Sequence, residues 1–372
     1  MGKRILITGG AGFIGSHLAD ELLAAGYHVR VLDNLSPQVH GPDCRRPAFL
    51  APETELMVGD VRDRRAVENA LQGIDSVYHL AARVGVGQSM YQIRDYVDDN
   101  DLGTATLLQV LIDHPVERLV VASSMSIYGE GLYLDRRGHP VEDLERDLSQ
   151  LQQGSWEVLD HAGRSLTPVP TPENKRAALS SIYALSKFVQ ERQCLLIGQA
   201  YGIPVVALRF FNVYGTRQAL SNPYTGVLAI FASRLLNDHR PMIFEDGLQR
   251  RDFVHVSDVA QACRLAVEVP NLTGQVLNIG SGTSYPIRHI ALRLAEILGK
   301  GELTPDITSR FRVGDIRHCF ADILLAREVL GYRPQVNLEE GLVELAEWLA
   351  DQVAYDRVEQ ASHELASRGL TL

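Results

Sequence analysis

Short β-branched runs alternate with helical stretches over about the first 130 residues of the chain. Apolar runs at 4–8, 28–33, 55–58, 76–79 and 118–123 predict five buried strands. Helical spacing between them predicts helices at 13–25, 64–71 and 102–113, and a sixth strand at 204–209 follows a helix at 182–200. Alternation of this kind argues for a parallel sheet covered on both faces. Beyond Asn212 the pattern loosens into helices at 226–237, 256–267, 287–298 and 338–349, separated by short strands and Gly/Pro-rich turns. That is the pattern of a smaller mixed lobe. Residues 351–372 are charged and helix-prone, and are expected to form a peripheral extension. The stretch 132–175 is polar, rich in Gln, Asp and Glu, and shows no core periodicity, so it reads as an insertion after strand five.

Composition narrows the class. With 372 residues, 45% apolar and 22% charged, the chain is an ordinary globular one, long enough for two cores or a large α/β domain with a smaller partner. A net charge of −10 disfavours a nucleic-acid partner, although a local basic pocket for a small anion remains compatible with it. Cys44, Cys194, Cys263 and Cys319 lie far apart and form no CxxC pair, which implies a reducing compartment. Only Ile5-Leu6-Ile7 separates Lys3-Arg4 from Thr8-Gly9, so no secretory signal is expected. No apolar run approaches the roughly 18 residues of a membrane span. A cytoplasmic protein with no membrane partner is the expectation. The twelve histidines show no ligand spacing, and no metal is expected.

Two constellations carry chemistry. Gly9, Gly12 and Gly15 follow the first strand and open the first helix. Such glycines permit a tight turn, close approach of the backbone to a pyrophosphate, and close helix–strand packing. The helix N-terminus adds free N–H groups for phosphate. Asp33 closes the second strand, where a carboxylate accepts from ribose hydroxyls and repels a 2′-phosphate. Asn34-Leu35 follow it, with no Arg to receive that phosphate, so NAD is favoured over NADP. Asp60-Val61 either bracket the adenine or form a loop whose acid caps the next helix. The second constellation is Ser124 at the end of strand five with Tyr183 and Lys187, which share one helix face at i and i+4. A free phenol has a pKa of about 10 and is a poor base near neutrality. A neighbouring ammonium and a positively charged nicotinamide would both favour the phenolate.

These residues make the chain resemble the extended short-chain dehydrogenase/reductase superfamily, in its nucleotide-sugar epimerase/dehydratase branch. The likeness spans nearly all of residues 3–350. It rests on Thr8 to Gly15, Gly59-Asp60-Val61, His79-Leu80-Ala81-Ala82, Asn100 to Thr104, Ser123-Ser124 with Tyr128-Gly129, and Tyr183 with Lys187. Further on it rests on Arg209 to Gly215, Arg251 to Val256, Asn278-Ile279-Gly280, and Arg312 to Asp315. The fold implied is a Rossmann-type doubly wound α/β sheet with a smaller mixed C-terminal lobe. Residues 1–211 would form the NAD-binding domain, with the 132–175 insertion and a return segment at about 241–275. Residues 212–240 and 276–350 would form the nucleotide-sugar-binding lobe.

The resemblance also implies roles. Tyr183 is the acid/base, Lys187 lowers its pKa and holds the nicotinamide ribose, and Ser124 orients the sugar C4 oxygen. Gly9, Gly12, Phe13, Ile14, Gly15, Asp33, Asn34, Asp60, Val61, Leu80, Ala81, Ala82, Arg83 and Phe210 would line the cofactor, with Asn100 near the nicotinamide side. Asn212, Arg251 and Arg312 would hold the diphosphate, an anion suited to bidentate guanidinium bonds. Dehydratases of this branch resemble one another in an Asp-Glu pair where this chain has Met125-Ser126, and decarboxylating relatives keep a Glu at the second position. That leaves epimerisation at C4, with ketosugar reduction as the alternative and an NAD-binding scaffold as an alternative of another class. The insertion and the Phe210–Gly226 region most resemble dTDP-L-rhamnose 4-epimerase-type proteins. Cys319 in place of a bulkier residue would leave a roomier sugar pocket. The insertion, rooted beside Ser124 and Tyr183, would either lie over that pocket or be a surface embellishment. A homodimer is expected through the 102–113 and Tyr183 helices, with Leu107, Leu108, Leu111, Val189, Leu195 and Leu196 forming a seam unless they face the sheet.

Overall fold

The β-branched runs form a seven-stranded sheet in a computed structural model that describes residues 2–142, 144–224, 226–312 and 314–372. Its strands are β1 (Arg4–Thr8), β2 (His28–Asp33), β3 (Glu55–Val58), β4 (Ser76–His79), β5 (Arg118–Ser124), β6 (Val205–Phe210) and β7 (Gln275–Ile279). They lie in the order β7-β6-β5-β4-β1-β2-β3, and every pair is parallel. The chain leaves β1 through β2 and β3, then returns to β1's other side as β4. A crevice therefore opens beyond the carboxyl ends of β1 and β4, where open α/β sheets bind ligands.

Period-two alternation gives each strand two apolar faces. Ile5, Ile7 and Val31 pack against Leu18 and Leu22 of the Phe13–Ala24 helix, in one cluster with Val259 and Cys263 of the Val256–Glu268 helix. Leu6, Val77 and Leu119 face the other way, onto Val67 of the Arg64–Leu71 helix, Leu107 and Leu111 of the Gly103–Asp113 helix, and Cys194 of the Ile182–Tyr201 helix. Each fully buried side chain of this kind contributes roughly 1.5–3 kcal/mol. The Ile182–Tyr201 helix begins where the Ser181 hydroxyl accepts from the Ala184 N–H at 3.1 Å, and it stops at Gly202, whose φ of +71° suits glycine.

The smaller lobe has its own core. Strands Asn212–Tyr214, Arg250–His255, Ser284–Pro286 and His318–Cys319 pair beside helices Val227–Leu236, Ile287–Ile297 and Leu338–Leu349, which bury Phe231, Leu294 and Leu342 together.

Several expectations need correcting. Residues 276–279 belong to the central sheet, because β7 pairs with β6 from Gln275 onward. Leu107, Leu108 and Leu111 are buried against the sheet; the exposed leucines of this region are Leu102, Leu185 and Leu196. A stretch of π-helix, Val97–Leu102, precedes the Gly103–Asp113 helix. The insertion folds into a small antiparallel sheet of Leu132–Leu134, Pro140–Val141 and Thr167–Val169, with Tyr133, Val158 and Leu166 as its core. Residues 351–372 are not peripheral. Their Val358–Ser367 helix crosses between the lobes, and Leu372 exchanges both backbone hydrogen bonds with Phe311, each at 2.9 Å.

Candidate active site

At the crevice, Gly9 has a φ of +72°, and a Cβ there would lie 2.8 Å from the Ala81 backbone. A Cβ on Gly15 would lie 2.5 Å from the Gly10 Cα. Only glycine fits either place. A Cβ on Gly12 would meet nothing closer than the Gly9 carbonyl at 3.4 Å, so this side of the turn is open. The Phe13–Ala24 helix has no side-chain cap, which leaves its first N–H groups directed at that opening. Asp33 ends β2, and its carboxylate accepts from the Ala11 N–H at 3.0 Å and the Leu35 N–H at 2.9 Å. Asp33 therefore fixes the glycine turn and still lines the crevice. The open turn, uncapped helix end and anchored acid fit the pyrophosphate and ribose diol of NAD.

Asp60 also lines the crevice, and it does not cap the next helix; Asp63 does, accepting from the Arg65 N–H at 2.9 Å. Arg62 donates to both Asp60 oxygens, at 2.9 and 2.7 Å, and holds that carboxyl below its ordinary range. The Asp99 carboxylate links Arg62 at 2.9 Å to Arg83 at 2.8 Å, steadying Arg83 on the cleft wall.

The reacting centre joins β5 to the Ile182–Tyr201 helix. Burial pushes the Tyr183 phenol's pKa above the ordinary value, and the nearby Ser124 hydroxyl pulls it down. Lys187, one turn further on, is pushed down to about 8 by burial. Lys187 Nζ donates to Gln190 Oε1 at 2.8 Å. Gln190 Nε2 donates to Thr104 Oγ1 at 2.8 Å, and His79 is hydrogen-bonded to Thr104 and Thr8 at 2.8 Å each. A buried chain thus runs from the glycine strand to the lysine. Ser126 Oγ donates to Ser124 Oγ at 2.8 Å and orients it.

At the far end of the cleft, Arg312 donates to Asp315 Oδ2 through Nη2 at 2.9 Å and packs over the Phe244 ring at 4.8 Å. Arg251 lies 3.7 Å from the same carboxylate and donates to the Arg317 carbonyl at 2.9 Å and to the Ile316 carbonyl. Against the upward push of burial, the guanidiniums of Arg312 and Arg251 hold the Asp315 carboxyl below its ordinary range. Arg251 and Arg312, both paired with Asp315, are the cations that line this end of the cleft. Asn212 Oδ1, Gln218 Oε1 and Gln249 Oε1 are buried side-chain atoms of cleft-lining residues without a hydrogen-bond partner among the described residues. Such orphaned groups fit a polar ligand.

The insertion braces this end from behind. Arg146 donates to the Asp315 carbonyl at 2.8 Å and to Glu245 at 2.7 Å. Arg317, fully buried, donates to Glu245, Asp246 and Glu157, and Glu157 also pairs with His318 at 3.1 Å. None of the described residues of 132–175 lines the cleft. The described part of the insertion does not cover the cleft but backs its far end as a brace tied on by buried ions, where loss of one partner generally costs about 3–5 kcal/mol.

One cleft of about 700 Å³ brings together the glycine turn, Asp33, Asn34, Asp60, Val61, Leu80 to Arg83, Ser124, Tyr183, Lys187, Phe210, Asn212, Arg251 and Arg312. Asn100 stands apart: it is fully buried, does not line the cleft, and spends its amide on the Arg83 N–H at 2.7 Å and the Ser186 hydroxyl at 2.9 Å. It anchors the loop that lines the cofactor region. Cys319 is likewise buried behind Arg251, 3.9 Å from Thr171 Oγ1, and gives the cleft no extra room. Gln190 and Ser126 were not legible as site residues; spacing places Gln190 on the Lys187 face, but nothing singles it out. Leu365 and Leu370 of the C-terminal segment also line the cleft, with no sequence signal at all.

Residues 5–280 match the NAD dependent epimerase/dehydratase family. The chain is 36% identical to a dTDP-L-rhamnose 4-epimerase of Burkholderia thailandensis over 359 residues, covering 95% of this chain and 96% of that protein. Among solved structures, it superposes with a TM-score of 0.76 and 30% identity on a UDP-glucose 4-epimerase of Thermotoga maritima with UDP-glucose, covering 93% of this chain and 98% of that one. A UDP-glucuronic acid 4-epimerase of Bacillus cereus in complex with UDP-glucuronic acid and NAD gives a TM-score of 0.76 at 27% identity, covering 93% and 99%.

Proposed function

The chain belongs to the NAD-dependent epimerase/dehydratase family, and from that premise we propose that it is a nucleotide-sugar 4-epimerase acting on a dTDP-linked deoxysugar of the L-rhamnose type. The observation that carries this is a single cleft with Ser124 and Tyr183 at its centre, a dinucleotide cradle at one end and Arg251 and Arg312 at the other. Bound NAD supplies the acceptor and donor of the C4 hydride.

The chain's own residues do the rest. Arg251 and Arg312 bind the diphosphate and so place the sugar. Ser124, oriented by Ser126, hydrogen-bonds the C4 oxygen while Tyr183 takes the C4 hydroxyl proton, giving a 4-ketose. Burial keeps the Tyr183 phenol protonated by itself, so its ionisation must be helped by positive charge gathered beside it on substrate and cofactor binding. Lys187, held by Gln190, is one turn away for that purpose. Met125 and Ser126 offer no carboxylate to move a C5 proton, so the ketose can only be reduced again, and inversion follows when it presents its other face. Proton NMR of the nucleotide sugar with purified protein and no added cofactor should show a C4-inverted product. Net consumption of NADH or NADPH would instead mark a ketosugar reductase.

The proposal extends to a homodimer. Exposed Ile93, Val97, Leu102, Leu185 and Leu196 lie on neighbouring helical segments, and Leu185 and Leu196 share a helix face. Light scattering at micromolar concentration should return twice the chain mass; the mass of one chain would remove the dimer.

A further inference from the structure

The C-terminal helix spans the cleft. At its start Asp356 accepts from Arg234 of the smaller lobe at 3.1 Å and pairs with His239 at 2.6 Å. At its end Arg368 packs over the Tyr91 ring at 4.4 Å, and Glu364 accepts from the Tyr224 hydroxyl at 3.2 Å. Beyond the helix, Thr371 bridges to Arg312, so the segment also holds the strand of the expected diphosphate arginine. With these charged and aromatic groups engaged around it, the inner stripe of Val358, Ala361, Ser362 and Leu365 lines the cleft.

Leu365 packs on the segment that carries Gly87 and lines the same cleft as Ser124 and Tyr183. A Cβ built on Gly87 would lie 3.3 Å from its methyl carbons, so the Gly87 backbone and Leu365 are in close apposition. The segment containing Gly87 is fastened to Tyr183 at both ends. The Tyr96 hydroxyl donates to the Val84 and Gly85 carbonyls at 2.9 Å each while its ring lies edge-on to Tyr183 at 6.5 Å, and Ser89 Oγ accepts from the Tyr183 N–H at 3.0 Å. Val84, Val86, Met90 and Leu365 therefore line an apolar stretch of the cleft on the segment that Ser89 and Tyr96 tie to Tyr183. Val84 and Val86 remain 43% and 41% exposed, apolar surface waiting for a partner. In a hexopyranose the carbon next to C4 bears the C5 substituent, which points away from the diphosphate end.

Resting on the epimerase proposal, we infer that Leu365 is a specificity-determining residue: with Val84, Val86 and Met90 it receives the C5 substituent and selects a methyl over a hydroxymethyl or carboxylate. A hydroxyl pressed on this stretch finds no side-chain partner on Val84, Val86, Met90 or Leu365 and loses its water. Apolar pockets discriminate such pairs by about 10–100-fold.

The test separates binding from turnover. Calorimetric titration of the purified protein with dTDP-L-rhamnose and dTDP-L-mannose, which differ only by the C6 hydroxyl, should show about tenfold or greater preference for the deoxysugar. Leu365→Ser should bring the two affinities to within a few-fold, chiefly by weakening the deoxysugar, and Leu365→Met should restore the preference. Unchanged NAD binding shows that each variant is folded. Equal affinities in the unmodified protein, or a preference untouched by Leu365→Ser, would overturn the assignment. A binding preference that tracks residue 365 without C4 inversion of any nucleotide sugar would support Leu365 and overturn the epimerase proposal alone.

Discussion

Tyr183→Phe is expected to lower kcat by about 10²–10⁴-fold, the range over which a positioned acid/base acts, while the Kd for nucleotide sugar stays within a few-fold. Phenylalanine keeps the ring that lies edge-on to Tyr96 and removes only the hydroxyl whose pKa Ser124 lowers. Ser124 retains its bond from Ser126, and Arg251 and Arg312 still bind the diphosphate. The sugar is then placed as before, with nothing to receive the C4 proton. Titration calorimetry beside single-turnover rates separates the two effects. Equal losses in binding and rate would mean that Tyr183 holds the sugar rather than moves its proton.

The second large effect is on stability at low pH. His79 is fully buried between Thr8 and Thr104, and burial, with a smaller push from Lys187, drives its pKa down from 6.5 to about 3. Between those values the unfolded chain binds a proton that the folded chain refuses, so stability falls as pH falls. His79's contribution is whole above pH 6.5 and is lost progressively towards pH 3. Linkage puts the loss between pH 7 and pH 4 at about 3 kcal/mol. Other groups titrate in the same window: His17 is pushed down to about 4, while Asp252 is pushed up to about 6 and acts in the opposite sense. Comparison with His79→Gln isolates the one group. Urea unfolding should find the unmodified protein losing about 3 kcal/mol more than His79→Gln over that interval. Parallel pH curves would show that position 79 does not hold a neutral imidazole in the folded chain.

The central sheet was legible because parallel strands buried on both faces leave continuous apolar runs, as in Ile5-Leu6-Ile7 and Leu119-Val120-Val121. The glycine turn and the Tyr183/Lys187 pair were legible because each is local: fixed spacings on one turn or one helix face. What lies between distant segments was not. Arg146, Glu157 and Arg317 look like solvated charges in the sequence, and only the fold brings them together with Glu245 under Asp315. Asn100 matched a motif yet turns inward from a π-helical stretch to serve the Arg83 loop, because its amide finds its partners there rather than in the cleft. The last helix carries the same difficulty furthest. Its charged composition describes the face turned to Tyr91 and Arg234, while Ala361 and Leu365, the face turned to the cleft, are too few to stand out.

The claim on which the rest depends is that the sugar's own C4 hydrogen leaves and returns within one cleft. Purified protein should be given a dTDP-deoxysugar carrying deuterium at C4, with no added cofactor, and the product followed by NMR and mass spectrometry. The account predicts a C4-inverted sugar that keeps its deuterium at C4 with no net oxidation or reduction. Loss of the deuterium to solvent, or turnover that requires stoichiometric NADH or NADPH, would contradict it.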